Sequence, residues 1–267
     1  MHGPNKKKIN FNYIKGLFVP MAERDLGIKK AFILAGGPGT RLRPITLELS
    51  KLILPVQGKP CLQWNIELAK RFGVQDITFA VGFKHEQIEE KFGNGKKLGV
   101  LLHYNVEKEY MGTAGALKIA EAHLKGEKKF IMMNGDELKD IDFAAMDKAH
   151  EKNGAVATLA LSTVAYSKAG GLVKLKGERI SEFSEKPPDE EEGFKLISAG
   201  AYILDPKIFD CIPRGKNCSI EKEVFPRLAE EGKLFGVEMK KRQFLQTDTF
   251  ERYEKAIKEW KGFTTHE

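Results

Sequence analysis

The chain has 267 residues, of which 42% are hydrophobic, and this suits one large α/β domain with a substantial core. Its formal charge of +7 is mixed through the sequence instead of gathered in one basic stripe, which argues against a nucleic-acid partner. No apolar run reaches the ~18 residues that a membrane-spanning helix needs, so no membrane partner is predicted.

The cysteines and histidines are not spaced like a metal site or a disulfide framework. Cys61, Cys211 and Cys218 are odd in number and include no C-x-x-C pair. The histidines show no H-x-x-x-H spacing. We therefore predict a cytoplasmic protein whose Cys61 is a small core residue and not an activated thiol.

The first 28 residues do not share the periodicity of the rest. Their basic NKKK run is followed by a broken apolar stretch without a small-residue cleavage site, which argues against a secretion signal. Residues 1–28 are predicted to be a flexible extension.

After this extension, apolar strands alternate with amphipathic helices. KAFILA predicts a buried strand that ends at a glycine turn, and LQWNIELAKRFG predicts a helix with Leu62, Ile66, Ala69 and Phe72 on one face. The next segments are predicted as strand DITFAVG, helix HEQIEEKFG, strand GVLLHYNVE, helix GALKIAEAHL, strand KKFIMMNG, helix FAAMDKAHEKNG and strand AVATLALS. Such βαβ units indicate parallel strands, with ligands beyond their carboxyl ends.

The pattern changes after Ser162. GGLVKLKGERISEFSEKPP predicts antiparallel strands with a turn at Lys176-Gly177, and FKLISAGAYIL predicts another strand. A helix over SIEKEVFPRLAEEG, a strand over KLFGVEM and a closing helix over DTFERYEKAIKEWKG follow. The predicted fold class is α/β: a Rossmann-like, mostly parallel sheet flanked by helices, with a smaller antiparallel lobe over the first half on the substrate side.

The turn after the first strand suits a polyphosphate. Gly36, Gly37 and Gly39 leave backbone N–H groups free to converge on an anion, and Arg41 and Lys51 follow with positive charge. The turn matches neither a Walker loop nor the dinucleotide fingerprint, because Gly-Lys-Ser/Thr and Gly-x-Gly-x-x-Gly are both missing. A merely structural tight turn is the alternative.

Several motifs, taken in order, resemble the sugar-1-phosphate nucleotidylyltransferases, or nucleotide-sugar pyrophosphorylases. LAGGPGTRLRP…SK…LPVQGKP resembles their signature, and MGTAGAL (111–117), NGD (134–136) and FSEKP (183–187) follow as their base, metal and sugar-phosphate segments. SIEKEVFPRLAEEGKL is similar to a later helix. The resemblance implies the nucleotide-diphospho-sugar transferase fold over residues 29–262, and it points to the mannose- or heptose-1-phosphate guanylyltransferases within the family.

The resemblance also implies an activity and its residues. The activity is nucleotidyl transfer from a nucleoside triphosphate, GTP being favoured, to mannose or heptose 1-phosphate. Arg41 would grip the triphosphate, Lys51 would steady the α-phosphate and Asp136 would hold Mg²⁺, and these three are the predicted catalytic residues. The implied substrate-binding residues are Ala35, Gly36, Gly37, Gly39, Thr40, Gly112, Gly171, Glu185 and Lys186.

Four of these substrate-binding residues have distinct implied roles. Gly112 would let the base approach closely, and Gly171 would leave room for the hexose. Glu185 would accept hydrogen bonds from sugar hydroxyls, and Lys186 would pair with the sugar phosphate. The sugar side is predicted to form the antiparallel lobe.

Two departures from the family pattern concern short motifs. The family surrounds the phosphate lysine with prolines, whereas this chain has Ser50-Lys51-Leu52. The sugar-side Asn-Ala-Gly is here Ser198-Ala199-Gly200, which shortens a polar contact.

The third departure concerns the metal site. The family's late W-x-D motif corresponds to Phe244-Leu245-Gln246, so that Gln246 replaces the second carboxylate ligand of Mg²⁺. Asp248 could reach in instead, but we favour it as the N-cap of the last helix, with Glu251 completing a capping box. Asp136 itself has the alternative of a turn or helix cap.

Two alternatives to this enzyme stay open. The protein could be a non-catalytic relative that binds nucleotide sugars as a sensor or partner subunit, or a thymidylyl- or uridylyltransferase for glucose 1-phosphate. We favour the enzyme because Arg41, Lys51, Asp136, Glu185 and Lys186 are all present. The family also implies possible homo-oligomers.

Overall fold

The computed structural model describes residues 13–14, 17–18, 24–166, 170–185 and 193–264. The strands are β1 (Tyr13–Ile14), β2 (Leu17–Phe18), β3 (Lys30–Ala35), β4 (Pro55–Val56), β5 (Lys59–Pro60), β6 (Asp76–Val81), β7 (Leu101–Val106), β8 (Phe130–Asn134), β9 (Glu137–Lys139), β10 (Ala157–Tyr166), β11 (Gly171–Lys176), β12 (Arg179–Glu185), β13 (Gly193–Leu204), β14 (Leu234–Glu238) and β15 (Phe244–Gln246). The helices are α1 (Ile45–Glu48), α2 (Cys61–Arg71), α3 (His85–Phe92), α4 (Gly112–Ile119), α5 (Glu121–Leu124), α6 (Phe143–Asn153), α7 (Phe225–Glu230) and α8 (Phe250–Glu259).

Nine of the described strands form one sheet, in the order β10-β14-β12-β11-β13-β8-β3-β6-β7. The neighbours β8, β3, β6 and β7 are parallel to one another, as the alternating strands and helices predict. Their apolar side chains pack into a core on each face. Ile33 packs with the residues of α2 on one face, and Phe32 packs with those of α4 and α5 on the other.

The prediction of a mostly parallel sheet is wrong for the sheet as a whole, which is mixed. β13 lies antiparallel to β8 and also to β10 and β11. The strands β10, β14, β12, β11 and β13 each pair with the next, and the β10–β13 pairing closes them into a ring. The second half therefore continues the sheet instead of lying over it, because β13 hydrogen-bonds directly to β8 of the first half.

The helices follow the sequence pattern closely, with two breaks, one of which divides the helix predicted over SIEKEVFPRLAEEG into a π-helix (Ile220–Val224) and α7. The predicted apolar face of α2 is buried, with Leu62, Ile66 and Ala69 fully enclosed. The single helix predicted over GALKIAEAHL is divided into α4 and α5 at Ala120, which has φ −82° and ψ 1°. The break turns His123 of α5 toward the start of β6.

The packed fold extends slightly beyond the predicted range of 29–262. The amides of Arg24 and Leu26 donate to the end of α2 and the residue after it, and the Thr264 amide donates to Asp140 Oδ2 at 3.1 Å. β1 and β2 pair antiparallel. The flexibility of residues 1–28 stays a prediction, since most of them lie outside the described residues. No helix in the described part of the chain is long and apolar enough to cross a membrane.

Candidate active site

A cavity of about 550 Å³ opens at the carboxyl ends of β3 and β8. This is where ligands bind in sheets of this kind, and the volume is that of a small-molecule site. The cavity brings together residues that are far apart in the sequence. The predicted site residues that line it are Ala35, Gly36, Gly37, Arg41, Lys51, Gly112, Asp136, Gly171, Glu185 and Gln246.

Three predicted residues are not among those lining the cavity. Gly39 and Thr40 lie at the back of the glycine turn, where Gly39 has φ +63° and precedes the 3₁₀ turn Thr40–Leu42. Lys186 lies outside the described residues, so its pairing with a sugar phosphate stays a prediction.

The glycine turn is shaped by the side chains around it. A Cβ atom on Gly37 would lie 3.2 Å from Lys51 Nζ, and one on Gly36 would lie 3.0 Å from Glu107 Oε2. Both distances are tighter than ordinary van der Waals contact. Glycine thus keeps the backbone close to the Lys51 ammonium at Gly37 and to the Glu107 carboxylate at Gly36.

Lys51 and Asp136 form an ion pair at the floor of the cavity, with side chains only 13% and 27% exposed. Burial alone would raise the pKa of Asp136, but the ammonium of Lys51 holds this pKa below its ordinary value. Burial alone would lower the pKa of Lys51, but the carboxylate keeps it above its ordinary value. Both groups are therefore charged at neutral pH, one cationic and one anionic.

The serine that replaces a family proline has a structural role. The Ser50 amide donates to Gln87 Oε1 at 2.8 Å, and its hydroxyl caps the 3₁₀ turn Lys51–Ile53 by accepting from the Leu52 amide. A proline has no N–H and could make neither contact. The turn that presents Lys51 is thus held by hydrogen bonds instead of proline rings.

Asp248 does not cap the last helix, so the prediction favoured for it is wrong. The N-cap of α8 is Thr249, whose hydroxyl accepts from the Arg252 amide at 3.3 Å. The Asp248 carboxylate instead forms ion pairs with Arg41, whose Nη2 lies at 2.6 Å, and with Arg252, whose Nη1 lies at 3.0 Å. Because Asp248 lines the cavity beside Gln246, it is placed to serve the site.

Gln246 reaches the cavity through a strand pairing between distant segments. β15 pairs antiparallel with β9, and Gln246 lies opposite Glu137, the residue after Asp136. The Thr247 hydroxyl donates to the Asp136 carbonyl at 2.8 Å. Lys139, fully buried, donates to Glu137 Oε2 at 3.1 Å. The late motif therefore lies beside Asp136, as the register with the family implies.

Glu137 is a buried carboxyl of the same wall. Burial raises its pKa above the ordinary value, which the Lys139 ammonium opposes and the Asp136 charge reinforces. Together with Asp136, Asp248 and the Gln246 amide it gives this side of the cavity oxygen donors of the kind that Mg²⁺ prefers.

Gly112 begins α4 in a conformation that only glycine adopts easily. Its φ is +72°, and a Cβ atom would lie 2.4 Å from the carbonyl oxygen of Cys218. That carbonyl accepts the amides of Ala114 and Gly115 at 2.9 and 3.2 Å. The glycine therefore lets the start of α4 lock onto the segment around Cys218.

The sugar-side residues lie on one hairpin, where Gly171 of β11 pairs with Glu185 of β12. A Cβ atom on Gly171 would lie 2.2 Å from Cζ of Phe183. The glycine thus makes room for an aromatic ring of the protein, which is a different reason from the predicted space for a hexose. Ser198, at the departure from Asn, also lines the cavity.

Several cavity residues belong to none of the predicted site sets, among them Glu107, Tyr110, Thr113 and Glu221. Thr113 Oγ1 donates to Glu221 Oε2 at 2.6 Å, which ties α4 to the π-helix Ile220–Val224. Burial raises the pKa of Glu107 above its ordinary value. Thr113 lies inside the quoted base-loop motif and Glu221 inside the quoted SIEKEVFPRLAEEGKL segment, but no local signal marks Glu107 or Tyr110.

The thiols should differ strongly in reactivity. Burial raises the pKa of Cys61 to about 12 and that of Cys218 to about 11. The Cys61 thiol is therefore almost entirely protonated at pH 8. Cys211 is only partly buried, so its thiol is the most accessible of the three. We expect iodoacetamide to label Cys211 first in the native protein, as read by peptide mass spectrometry. Labelling of Cys61 at a similar rate would contradict its assignment to the core.

Curated relatives match most of this chain. A mannose-1-phosphate guanyltransferase of Yarrowia lipolytica is 40% identical over 214 residues, which are 79% of this chain and 58% of that protein. A UTP–glucose-1-phosphate uridylyltransferase of Synechocystis is 35% identical over 216 residues, 76% of this chain and 56% of that protein. The chain thus spans less than two thirds of the length of these relatives.

A solved structure and a family profile agree with these relatives. The structure of HddC from Yersinia pseudotuberculosis, complexed with GMP-PN, superposes with a TM-score of 0.74 at 26% identity and covers 88% of this chain and 100% of HddC. The profile described as nucleotidyl transferase matches residues 30–261. The fold, the glycine turn and this match together show that the chain belongs to the nucleotidyl transferase family.

Proposed function

We propose that the chain transfers a nucleotidyl group from a nucleoside triphosphate to a sugar 1-phosphate, giving a nucleotide sugar and pyrophosphate. The observation that carries this proposal is the joining, in one cavity, of the glycine turn and two cations with the Gly171–Glu185 hairpin. The first set suits a triphosphate and the second suits a sugar. The name of the Yarrowia relative and the GMP-PN in the HddC complex favour GTP, and the same relative favours mannose 1-phosphate as the acceptor. Heptose 1-phosphate is the other acceptor that the motif resemblance implies.

The reaction needs alignment and charge neutralisation more than a protein nucleophile. A phosphate oxygen of the sugar 1-phosphate forms a bond to the α-phosphorus, the bond from that phosphorus to the bridging oxygen breaks, and pyrophosphate leaves with the electron pair. A phosphate monoester is already ionised at neutral pH, so no Ser/His or Cys/His dyad is required. Catalysis then comes from holding two anions in line and stabilising the gathering charge.

The cations of the cavity have distinct parts in this scheme. Lys51, charged and enclosed at the floor, steadies the α-phosphate against the N–H groups of Gly36 and Gly37. Arg41 is 60% exposed and can swing onto the β- and γ-phosphates with its planar fork. Asp248 holds this guanidinium at the rim until a phosphate replaces it.

The donor set fits a magnesium ion. Carboxylates of Asp136 and Asp248 and the amide of Gln246 offer hard oxygen ligands, and Mg²⁺ commonly takes one or two carboxylates together with substrate phosphates and water. When bound, the ion would neutralise charge on the reacting phosphates. Asp136 is the residue that would hold it, with Gln246 as a neutral second ligand.

The Gln246→Asp variant is expected to need less magnesium for turnover, because it restores a negative ligand beside Asp136. We expect the Mg²⁺ concentration at half-maximal rate to fall by about tenfold. Gln246→Asn is the matched control, since it has the length of aspartate without its charge. An unchanged magnesium titration for Gln246→Asp would show that the late motif does not meet the ion.

The function is tested by a matrix of nucleoside triphosphates against sugar 1-phosphates with Mg²⁺, scored by pyrophosphate release. We expect the highest rate with GTP and mannose or heptose 1-phosphate. A highest rate with UTP or dTTP and glucose 1-phosphate would keep the reaction and change its substrates, as the Synechocystis relative suggests. If no substrate pair releases pyrophosphate and the protein still binds a nucleotide sugar, the proposed enzymatic function is wrong and a sensor or partner subunit is favoured.

A further inference from the structure

A second group of polar side chains lies away from the cavity, at the amino-terminal end of the parallel strands. Asp76 begins β6, His103 lies on the neighbouring β7, and His123 belongs to α5. His123 Nε2 lies 3.0 Å from Asp76 Oδ1, and His103 Nε2 lies 3.1 Å from the same oxygen. The two imidazole rings have centroids 4.6 Å apart.

These three side chains are held together by the sheet and by a helix that is bound to it. Asp76 pairs with Leu101 in the parallel ladder, so Asp76 and His103 share one face of the sheet as diagonal neighbours. Lys30 Nζ donates to the His123 carbonyl at 2.7 Å and is itself paired with Glu127. The helix that carries His123 is thus tied to the sheet beside Asp76.

Hydrogen bonding leaves one nitrogen of this group unsatisfied. The Nε2 atom of His103 is shielded from water and, among the described residues, makes no hydrogen bond, because its approach to Asp76 Oδ1 is not aligned as one. The His103 ring itself is 39% exposed, and His123 and Asp76 are 33% and 21% exposed. A small ion can therefore reach the group from solvent.

We propose that Asp76, His103 and His123 bind a divalent transition-metal ion of the zinc type. Two imidazole nitrogens with one carboxylate oxygen are a ligand set that suits Zn²⁺ and its surrogates Co²⁺ and Ni²⁺ better than Mg²⁺. The three donor atoms all lie within 4.8 Å of one another. A tetrahedral ion with bonds of ~2.0–2.1 Å holds its ligands about 3.3 Å apart, so small side-chain rotations would seat it.

The ion would act as a clamp at the end of the sheet opposite the cavity. It would link α5 to β6 and to the outer strand β7, where the ladder has no further neighbour among the described strands. The six residues of β3 separate the two ends by about 17 Å at ~3.3 Å per residue. This site is therefore distinct from the magnesium ligands around Asp136, and it does not depend on the proposed activity.

Zinc titration of the untagged, chelator-treated chain at pH 7.5 without nucleotide tests the proposal. By calorimetry we expect one ion per chain at this site, with an affinity that falls on the order of 100-fold in His103→Gln and in His123→Gln. A saturating excess of zinc should raise the Tm of the unmodified chain by about 5 °C. It should leave unchanged the Tm of the double variant, which carries both His103→Gln and His123→Gln.

His85→Gln is the matched control. His85 lies 2.9 Å from Glu89 Oε1 and 3.3 Å from Glu86 Oε1, but it has no second imidazole among the described neighbours, so its replacement should leave zinc affinity unchanged. Histidine NMR signals of the unmodified chain give a readout that needs no variant, since those of His103 and His123 should shift together on adding zinc. Binding that survives the double variant, or no binding below millimolar zinc, would overturn the proposal.

Discussion

The Asp136→Asn variant is expected to lose nucleotidyl transfer by a factor on the order of 10³ in kcat/KM. The neutral amide has the shape of the carboxylate but cannot neutralise Lys51 or hold a magnesium ion with the same strength. Steady-state pyrophosphate release at saturating Mg²⁺ measures the loss. A decrease of less than about fivefold would remove Asp136 from the catalytic residues.

The same variant should also be less stable, by about 2 kcal/mol at neutral pH, because Lys51 would keep its charge in a mostly enclosed position without a partner. The pKa of Asp136 is lower in the folded chain than its ordinary value of 3.8. The pair therefore stabilises the fold above this pH and loses its contribution as the pH falls through the folded pKa. The stability difference between the two chains should shrink over that acidic window.

A suitable control is Asp210→Asn, which makes the same chemical change at an exposed position outside the cavity. It should leave both turnover and stability unchanged. Comparable losses in both variants would mean that the effect of Asp136→Asn does not arise from its place beside Lys51.

The Gly112→Ala variant should be destabilised by at least about 3 kcal/mol, since the new methyl group meets both backbone strain and a fixed carbonyl. Gly112 has φ +72°, and the Cβ atom would lie 2.4 Å from Cys218 O. That oxygen cannot withdraw without losing the two amides that it accepts. Urea unfolding measures the change, and the start of α4 should be the region that loosens.

Gly126→Ala is the matched control for this substitution. No atom lies within 4 Å of the Cβ position of Gly126, and its φ lies outside the positive range. We expect its free energy of unfolding to change by less than about 1 kcal/mol. A Gly112→Ala chain as stable as this control would show that the α4 loop can open, whereas one recovered only as insoluble protein would agree with the prediction.

The elements that could be predicted from the sequence are those whose signal is local. The continuous apolar run of β3 and the single buried face of α2 each carry their own period, and both are confirmed. The place of β13 could not be predicted in this way. Its twelve residues predict a strand, but nothing in them says that it joins β8 as well as β10 and β11.

The same limit applies to the site. The glycine turn, Arg41 and Lys51 are marked by composition over a short stretch, and the cavity contains them. Glu107 and Tyr110 enter it from a segment with no such mark. The predicted N-cap of α8 lies one residue before the observed one, because Asp248 pairs with Arg252 of the helix and with Arg41, which is remote in the sequence.

The His103 and His123 pair is a further case. The two residues are too far apart in the chain to form a spacing motif, and they meet only because α5 packs over the start of β6. Metal-ligand patterns read from sequence detect neighbours on one element, and this group draws on three.

Two of the three cations that line the cavity already have carboxylate partners within the chain, Lys51 with Asp136 and Arg41 with Asp248. Under the proposed function, binding of a triphosphate is therefore an exchange of counterions, in which the phosphates compete with Asp136 and Asp248 for these two cations. This exchange leaves the carboxylates of Asp136 and Asp248 without their cationic partners. They therefore favour a ligand that arrives together with a cation. Inorganic phosphate without a metal ion brings no such charge, so Asp136 and Asp248 should disfavour its binding beside Lys51 and Arg41.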